Sequence, residues 1–286
     1  TYGRGGHSAA ILARLGPEGR LLALDKDPEA VADGEQRFHD DQRFAIKHAA
    51  YEDMRRFAEH FGGRPVLGVL LDLGVSSPQL DRADRGFSFA HDGPLDMRMN
   101  TDRGPTAAEW LARVDEAELT DVIRRYGEEP QARRVARAIL TARQDAPITT
   151  TAQLAGIVAA ALPKPKRGKT HPATRVFQAV RIAVNDELTA LERGLAEAVE
   201  WLAAGGRLAV ISFHSLEDRI VKRLIAREAK GDPVYAGLPE IPPEAQPRLK
   251  PLGRLIRPGA VELEQNPRAR SGRLRIAIKL AGGAAV

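Results

Sequence analysis

The chain has 286 residues, 43% of them apolar, which at ~150 residues per domain implies about two domains and excludes global disorder. Lys and Arg number 43 against 38 Asp and Glu, a net charge of +5 that permits a nucleic-acid partner without requiring one. Cysteine is absent, which excludes disulfides, thiolate metal sites and thiol catalysis, and the longest apolar run, Leu154–Leu162, falls far short of the ~20 residues of a membrane helix.

The first hundred residues alternate in the α/β manner. Ser8 is expected to cap a helix over Ala9–Leu15, with Gly16 as its stop. Leu21–Leu24 ends in Asp25 as a buried parallel strand. A helix over Pro28–Phe38, a strand over Phe44–His48 and a helical stretch over Tyr51–Phe61 follow. Val66–Leu73 is the strongest strand signal. This rhythm predicts right-handed crossovers and a parallel sheet.

From Thr106 to about Val184 the pattern is helical without strands: Ala107–Arg113, Glu116–Tyr126, Ala132–Arg143 and Thr151–Leu162, punctuated by Pro130, Pro147 and Pro163. Strands return at Arg207–Phe213 and Leu274–Leu280. The simplest organisation is an inserted helical domain, 106–184, between two parts of an α/β domain, 1–105 and 185–286.

Two stretches concentrate positive charge. Pro163–Val184 carries Lys164, Lys166, Arg167, Lys169, Arg175 and Arg181 without an acid, and Arg248–Lys279 holds nine basic residues against Glu262 and Glu264. A single run is equally well read as a solvated surface. Two such runs flanking one core favour a polyanion partner.

Gly3-Arg4-Gly5-Gly6-His7-Ser8 leads straight into a helix, where unpaired N–H groups and a partial positive charge await an anion. The loop lacks the Gly-Lys-Ser/Thr ending of a nucleoside-triphosphate loop. Asp25 sits where a carboxylate meets ribose hydroxyls in nucleotide-binding folds. Asp72 ends the strongest strand, at the ligand edge of an open sheet, where packing does not explain it. Ser76-Ser77-Pro78 then reads as a rigid turn whose hydroxyls and free carbonyls orient an exocyclic amine towards a methyl donor. A delocalised ring amine needs alignment more than a strong base. His7, His171 and His214 are too scattered for a metal centre. His214 is read as a contact to RNA or to the target base, or else as a structural hydrogen-bonding residue; Trp110 and Trp201 are read as core.

These residues, with Leu71–Leu80, Arg85–Phe89, Asp92–Met99, His171–Arg175, Phe177–Ala179, Ile211–Arg219 and Asn266–Ser271, give a chain that resembles the MraW-type bacterial small-subunit ribosomal RNA (cytosine-N4) methyltransferases along nearly its whole length. The resemblance implies a class I, Rossmann-like S-adenosylmethionine-dependent methyltransferase with a helical insertion, acting in the cytoplasm on a cytosine of the decoding region. It assigns cofactor contacts to Gly5, Gly6, His7, Asp25, Tyr51, Asp72 and Gln79. Of these, Asp25 serves the ribose, Tyr51 walls the adenine and Asp72 stands near the cationic methionine end. The amine-presenting turn is Ser76, Ser77 and Pro78, and the RNA-binding set is Lys164, Lys166, Arg167, Lys169, Arg175, His214, Arg268 and Arg270. The acceptor is free small-subunit RNA or the assembled subunit, and a homodimer is permitted.

Two departures shape the expectations. Family members carry a leader and a first strand ending in Asp-Gly before the position of Thr1, so a chain starting there is expected to be unstable and poor in donor. Ser77-Pro78-Gln79-Leu80 also lacks the aromatic that general amino-methyltransferases stack on the base, for which Phe87, Phe89 and Phe213 are candidate replacements. The rival readings are a DNA amino-methyltransferase and a non-catalytic RNA-binding assembly factor.

Overall fold

The computed structural model describes residues 1–163, 171–231, 233–235, 242 and 245–281. They divide into two compact units, Thr1–Gly74 with Leu188–Val286, and Val75–Glu187. Residues 75–105, which the sequence reading places with the α/β part, group with the helical segment.

The first unit opens with α1 (Gly6–Leu12), β1 (Leu21–Asp25), α2 (Pro28–Arg37), β2 (Phe44–His48), a 3-10 helix over Tyr51–Phe61 and β3 (Val66–Asp72). Helix α1 starts earlier than expected. Gly5, at φ 69°, is the N-cap, and Ser8 is buried inside the helix instead of capping it. The cause is a turn in which the Gly5 N–H donates to the Tyr2 carbonyl at 2.9 Å, which starts the helix at the glycines. Helix α2 begins as its sequence dictates, with Asp27 accepting from the Glu29 N–H at 3.1 Å and Pro28 in the first turn.

The second unit contains α3 (Ser77–Asp81), α4 (Ala107–Arg113), α5 (Glu116–Gly127), α6 (Ala132–Asp145), α7 (Thr151–Ala161) and α8 (Ala173–Asn185). Thr106 with Glu109 and Thr150 with Gln153 form capping boxes at the starts of α4 and α7. Leu111, Ile123, Ile139, Leu154 and Val176 fill its core. At Gly127 a Cβ would lie 2.8 Å from the Arg175 carbonyl, so glycine is what lets α5 and α8 approach.

The chain returns to the first unit through α9 (Glu187–Trp201), then β4 (Leu202–Ser212), α10 (Ser215–Glu228), β5 (Leu249–Pro251), α11 (Ala260–Gln265) and β6 (Arg273–Lys279). The α/β class read from the sequence holds, and the strands of the first hundred residues pair in parallel, β1 with β2 and β3 with β4, in two separate sheets. Among the described residues, β1 and β2 form one parallel pair, while β3-β4-β6-β5 form a mixed sheet in which β6 runs antiparallel to both neighbours. Leu71, Leu195, Leu208, Val210, Leu224 and Ala277 make the core between this sheet and its helices. Asp218 on α10 ties helix to sheet, receiving Arg275 Nε at 2.6 Å and Arg273 at 3.3 Å.

Candidate active site

Strands β1 and β3 both end in aspartate, and the glycine loop links the two ends. The backbone N–H groups of Tyr2 and Gly3 donate to Asp25 Oδ2 at 3.1 and 2.9 Å, and Thr1 Oγ1 receives the Asp72 N–H at 2.8 Å. The loop then turns through Gly5 into α1, whose first N–H groups, at Gly6 and His7, have no partner inside the helix. Among the described residues, and apart from its chain neighbours and its own helix backbone, nothing lies within 4 Å of where a Gly6 Cβ would stand. A carboxylate has about four acceptor positions. Asp25 spends three of them, on Tyr2, Gly3 and the Asp27 N–H at 3.0 Å, which leaves room on Oδ1 for a ligand hydroxyl.

His7 Nδ1 stands 3.3 Å from Asp72 Oδ2, with both side chains partly open to solvent. The hydrogen bond to the Asp72 carboxylate raises the His7 pKa; partial burial opposes this, and the charges of Asp72 and Glu262 assist it. Because the folded value lies above the unfolded one of about 6.5, the pair's small contribution is complete below that pH. It is lost as pH rises through the folded value. An NMR titration should place the His7 midpoint above 6.5 and return it towards the ordinary value in Asp72→Asn. A midpoint at or below 6.5 in the unaltered chain would mean the pair does not form in solution.

Sequence reasoning missed Tyr2. Its ring is buried, its hydroxyl donates to Asp33 Oδ2 at 2.6 Å, and burial together with that acceptor pushes its pKa up to about 12. Arg37 on α2 also donates to the Arg4 carbonyl at 2.6 Å. The loop is therefore moored to α2 at two points. The signal was an aromatic beside a glycine run, which a loop reading passes over.

A glycine loop between two strand-end carboxylates suits a ligand that combines a diol, a cation and an anion. The model of the MraW methylase family matches residues 1–280. The chain belongs to the MraW methylase family. It is 55% identical over 285 residues to the ribosomal RNA small subunit methyltransferase H of Thioalkalivibrio sulfidiphilus, covering 98% of this chain and 90% of that one. It is 57% identical over 284 residues to the protein of the same name from Methylococcus capsulatus, covering 98% and 93%.

As an MraW-family chain it places the other expected residues unevenly. Tyr51 opens the 3-10 helix after β2 and packs against α9: a Cβ at Gly194 would fall 2.4 Å from its ring. Gln79 is buried, and its Oε1 receives the Ser76 N–H at 2.8 Å. The turn Ser76-Ser77-Pro78 is the start of α3, with Ser76 as N-cap, because proline suits a helix's first turn. Its carbonyls are consequently not free as expected: Ser76 accepts from the Leu80 N–H and Pro78 from the Arg82 N–H. The Ser77 hydroxyl is exposed and carries no hydrogen bond among the described residues.

His214 is largely buried and caps α10, taking the Glu217 N–H on Nδ1 at 3.4 Å, which is the structural reading of this residue. Arg175 is half-exposed and meets Glu129 at 3.4 Å. Arg268 and Arg270 are exposed on the 3-10 helix Pro267–Ser271. Lys164, Lys166, Arg167 and Lys169 lie outside the described residues. Of the aromatic candidates, Phe87 is core, Phe89 stacks edge-on to Phe177 and beside His171, and Phe213 lies against Gly74. Trp110 and Trp201 both pack against core clusters.

Proposed function

We propose that this chain transfers a methyl group from S-adenosylmethionine to the exocyclic N4 of a cytosine in the decoding region of small-subunit ribosomal RNA, in the cytoplasm. The observation that carries the reading is the glycine loop bonded to Asp25 at one strand end and Asp72 at the other, in a member of a methylase family. The donor, when bound, supplies an electrophilic methyl on a sulfonium.

The chain's own part is position and electrostatics. Asp25 accepts a ribose hydroxyl on its remaining lone pair, and the Gly6 and His7 N–H groups receive an anionic end of the donor. Asp72 holds negative charge beside the donor's cationic end, with His7 as its countercharge below the histidine's pKa. Tyr51 offers an apolar face to the adenine. Among the described residues the Ser77 hydroxyl of the Ser76–Pro78 turn makes no hydrogen bond, and it is the group assigned to the acceptor amine, for which alignment matters more than a strong base.

The test is transfer of labelled methyl to transcribed small-subunit RNA, assembled small subunits and duplex DNA. Label on N4 of a cytosine in RNA or in subunits is the expected result. Label in DNA alone favours the DNA amino-methyltransferase. RNA binding without transfer leaves the assembly-factor reading.

A further inference from the structure

Nine basic residues lie between Arg248 and Lys279, and the fold sorts them by what they hold. Arg248 bonds Glu228 at 2.6 Å and also Glu200. Arg273 and Arg275 converge on Asp218. Lys279 is buried and donates to the Val199 carbonyl at 2.7 Å. These four bind element to element. Arg254, Arg257 and Arg270 are exposed, with no hydrogen bond or ion pair among the described residues.

Strand register says where these free cations stand. Asp72 pairs with Ile211, Ile211 with Leu274, and Leu274 bridges to Ile256. Ile256 therefore lies in the same cross-strand row as Asp72, three strand spacings away, or about 15 Å at ~4.8 Å per step, and Arg257 is the next residue along the chain. Arg270 precedes Arg273, whose partner Ser212 ends β4 at the same edge. Arg254 lies between Leu252, whose N–H bonds the Ile276 carbonyl, and Ile256. Lys250 pairs with Ile278, opposite Arg207, at the far end of the sheet.

We propose that Arg254, Arg257 and Arg270 form a phosphate track that grips the acceptor RNA and runs outward from the sheet edge bearing Asp72. The proposal rests on the RNA-methylating function above and adds the surface that holds the acceptor. Guanidiniums suit the task because they take phosphate in a two-pronged fork and remain charged at every working pH. Arg257, beside a residue three strand spacings from Asp72, lies beyond the ~8 Å Debye length at physiological salt, so it acts on the RNA and not on the donor. The structurally paired arginines of the same run take no part.

The experiment compares the unaltered chain, the triple variant Arg254→Gln/Arg257→Gln/Arg270→Gln, and Lys250→Gln. Each is titrated with transcribed small-subunit ribosomal RNA across a range of salt, and with S-adenosylmethionine by calorimetry. At ~0.7 per single-strand phosphate, the triple variant's slope of log affinity against log salt should be shallower by about 2. Its RNA affinity at 0.1 M salt should fall at least tenfold, with donor affinity unchanged; Lys250→Gln should keep the original slope. An unchanged slope in the triple variant, an equal loss in Lys250→Gln, or a parallel loss of donor binding would each overturn the track. If the unaltered chain neither binds nor methylates RNA, the proposed function fails first, and that outcome is distinct from the other three.

Discussion

Asp72→Ala should lower S-adenosylmethionine affinity about 100-fold while leaving the fold intact. The side chain ends β3 with about a third of its surface open to solvent, and His7 at 3.3 Å is its described partner. An exposed pair of this kind contributes about 0–1 kcal/mol to stability, so its removal should barely move the unfolding midpoint. The Asp72 N–H bond to Thr1 Oγ1 is a backbone contact that alanine keeps. What alanine loses is a carboxylate at a strand end, and charge-assisted hydrogen bonds contribute about 1.5–3 kcal/mol each, which spans roughly 10- to 100-fold in affinity. Asp72→Asn, which keeps the shape and an acceptor without the charge, should fall between the two. Calorimetry on the three proteins decides it. Wild-type affinity in Asp72→Ala would remove this residue from the donor site.

Local chemistry explains where the sequence reading succeeded. Strand β2 falls on Phe44–His48 as expected, since Asp41 and Arg43 close a polar turn in front of it. Helices α4 and α7 begin where Thr106 and Thr150 call for capping boxes. The errors arise where pairing partners are distant. The start of β4 at Leu202 precedes the expected Arg207 because Ala203–Gly206 have no apolar alternation, and the ladder with β3 shifts register between Val66 and Gly68. On the direction of β6 periodicity is silent, and its antiparallel pairing with β4 depends on residues more than sixty positions earlier.

The candidate site was legible in part for the same reason. Residue type and position at a strand end singled out Asp25 and Asp72, and a glycine run before a helix singled out Gly5 and Gly6. Tyr2 escaped because its partner Asp33 is 31 residues away. The basic run near the C-terminus read as uniform. Its division into structural and free cations is set by Asp218, Glu228 and Glu200, which lie 20 to 57 residues distant. A charge run in a sequence counts cations, whereas available charge depends on which acids the fold delivers to them.

The second large effect should come from Gly5→Ala, in which two separable costs meet. Gly5 sits at φ 69°, a left-handed conformation that costs an L-residue about 1–2 kcal/mol. Its new Cβ would also stand 2.6 Å from Tyr2 Oη and 2.8 Å from two ring carbons. The ring has little room to yield, because it is buried, lies close to Gly34 on α2 and is anchored through its hydroxyl to Asp33. Relief must therefore come from the loop, which carries the Gly6 and His7 N–H groups out of place. Gly3→Ala supplies the contrast: φ is 60° there, yet nothing lies within 4 Å of the added carbon, so only the backbone cost applies. Urea unfolding should show Gly3→Ala destabilised by about 1–2 kcal/mol and Gly5→Ala by about 3 kcal/mol or more. Donor binding should be weakened further in Gly5→Ala than the stability loss alone accounts for. Equal losses in Gly3→Ala and Gly5→Ala would mean that the Tyr2 wall is not what requires a glycine at position 5, and that the mooring of the loop to α2 does not set the donor site's geometry.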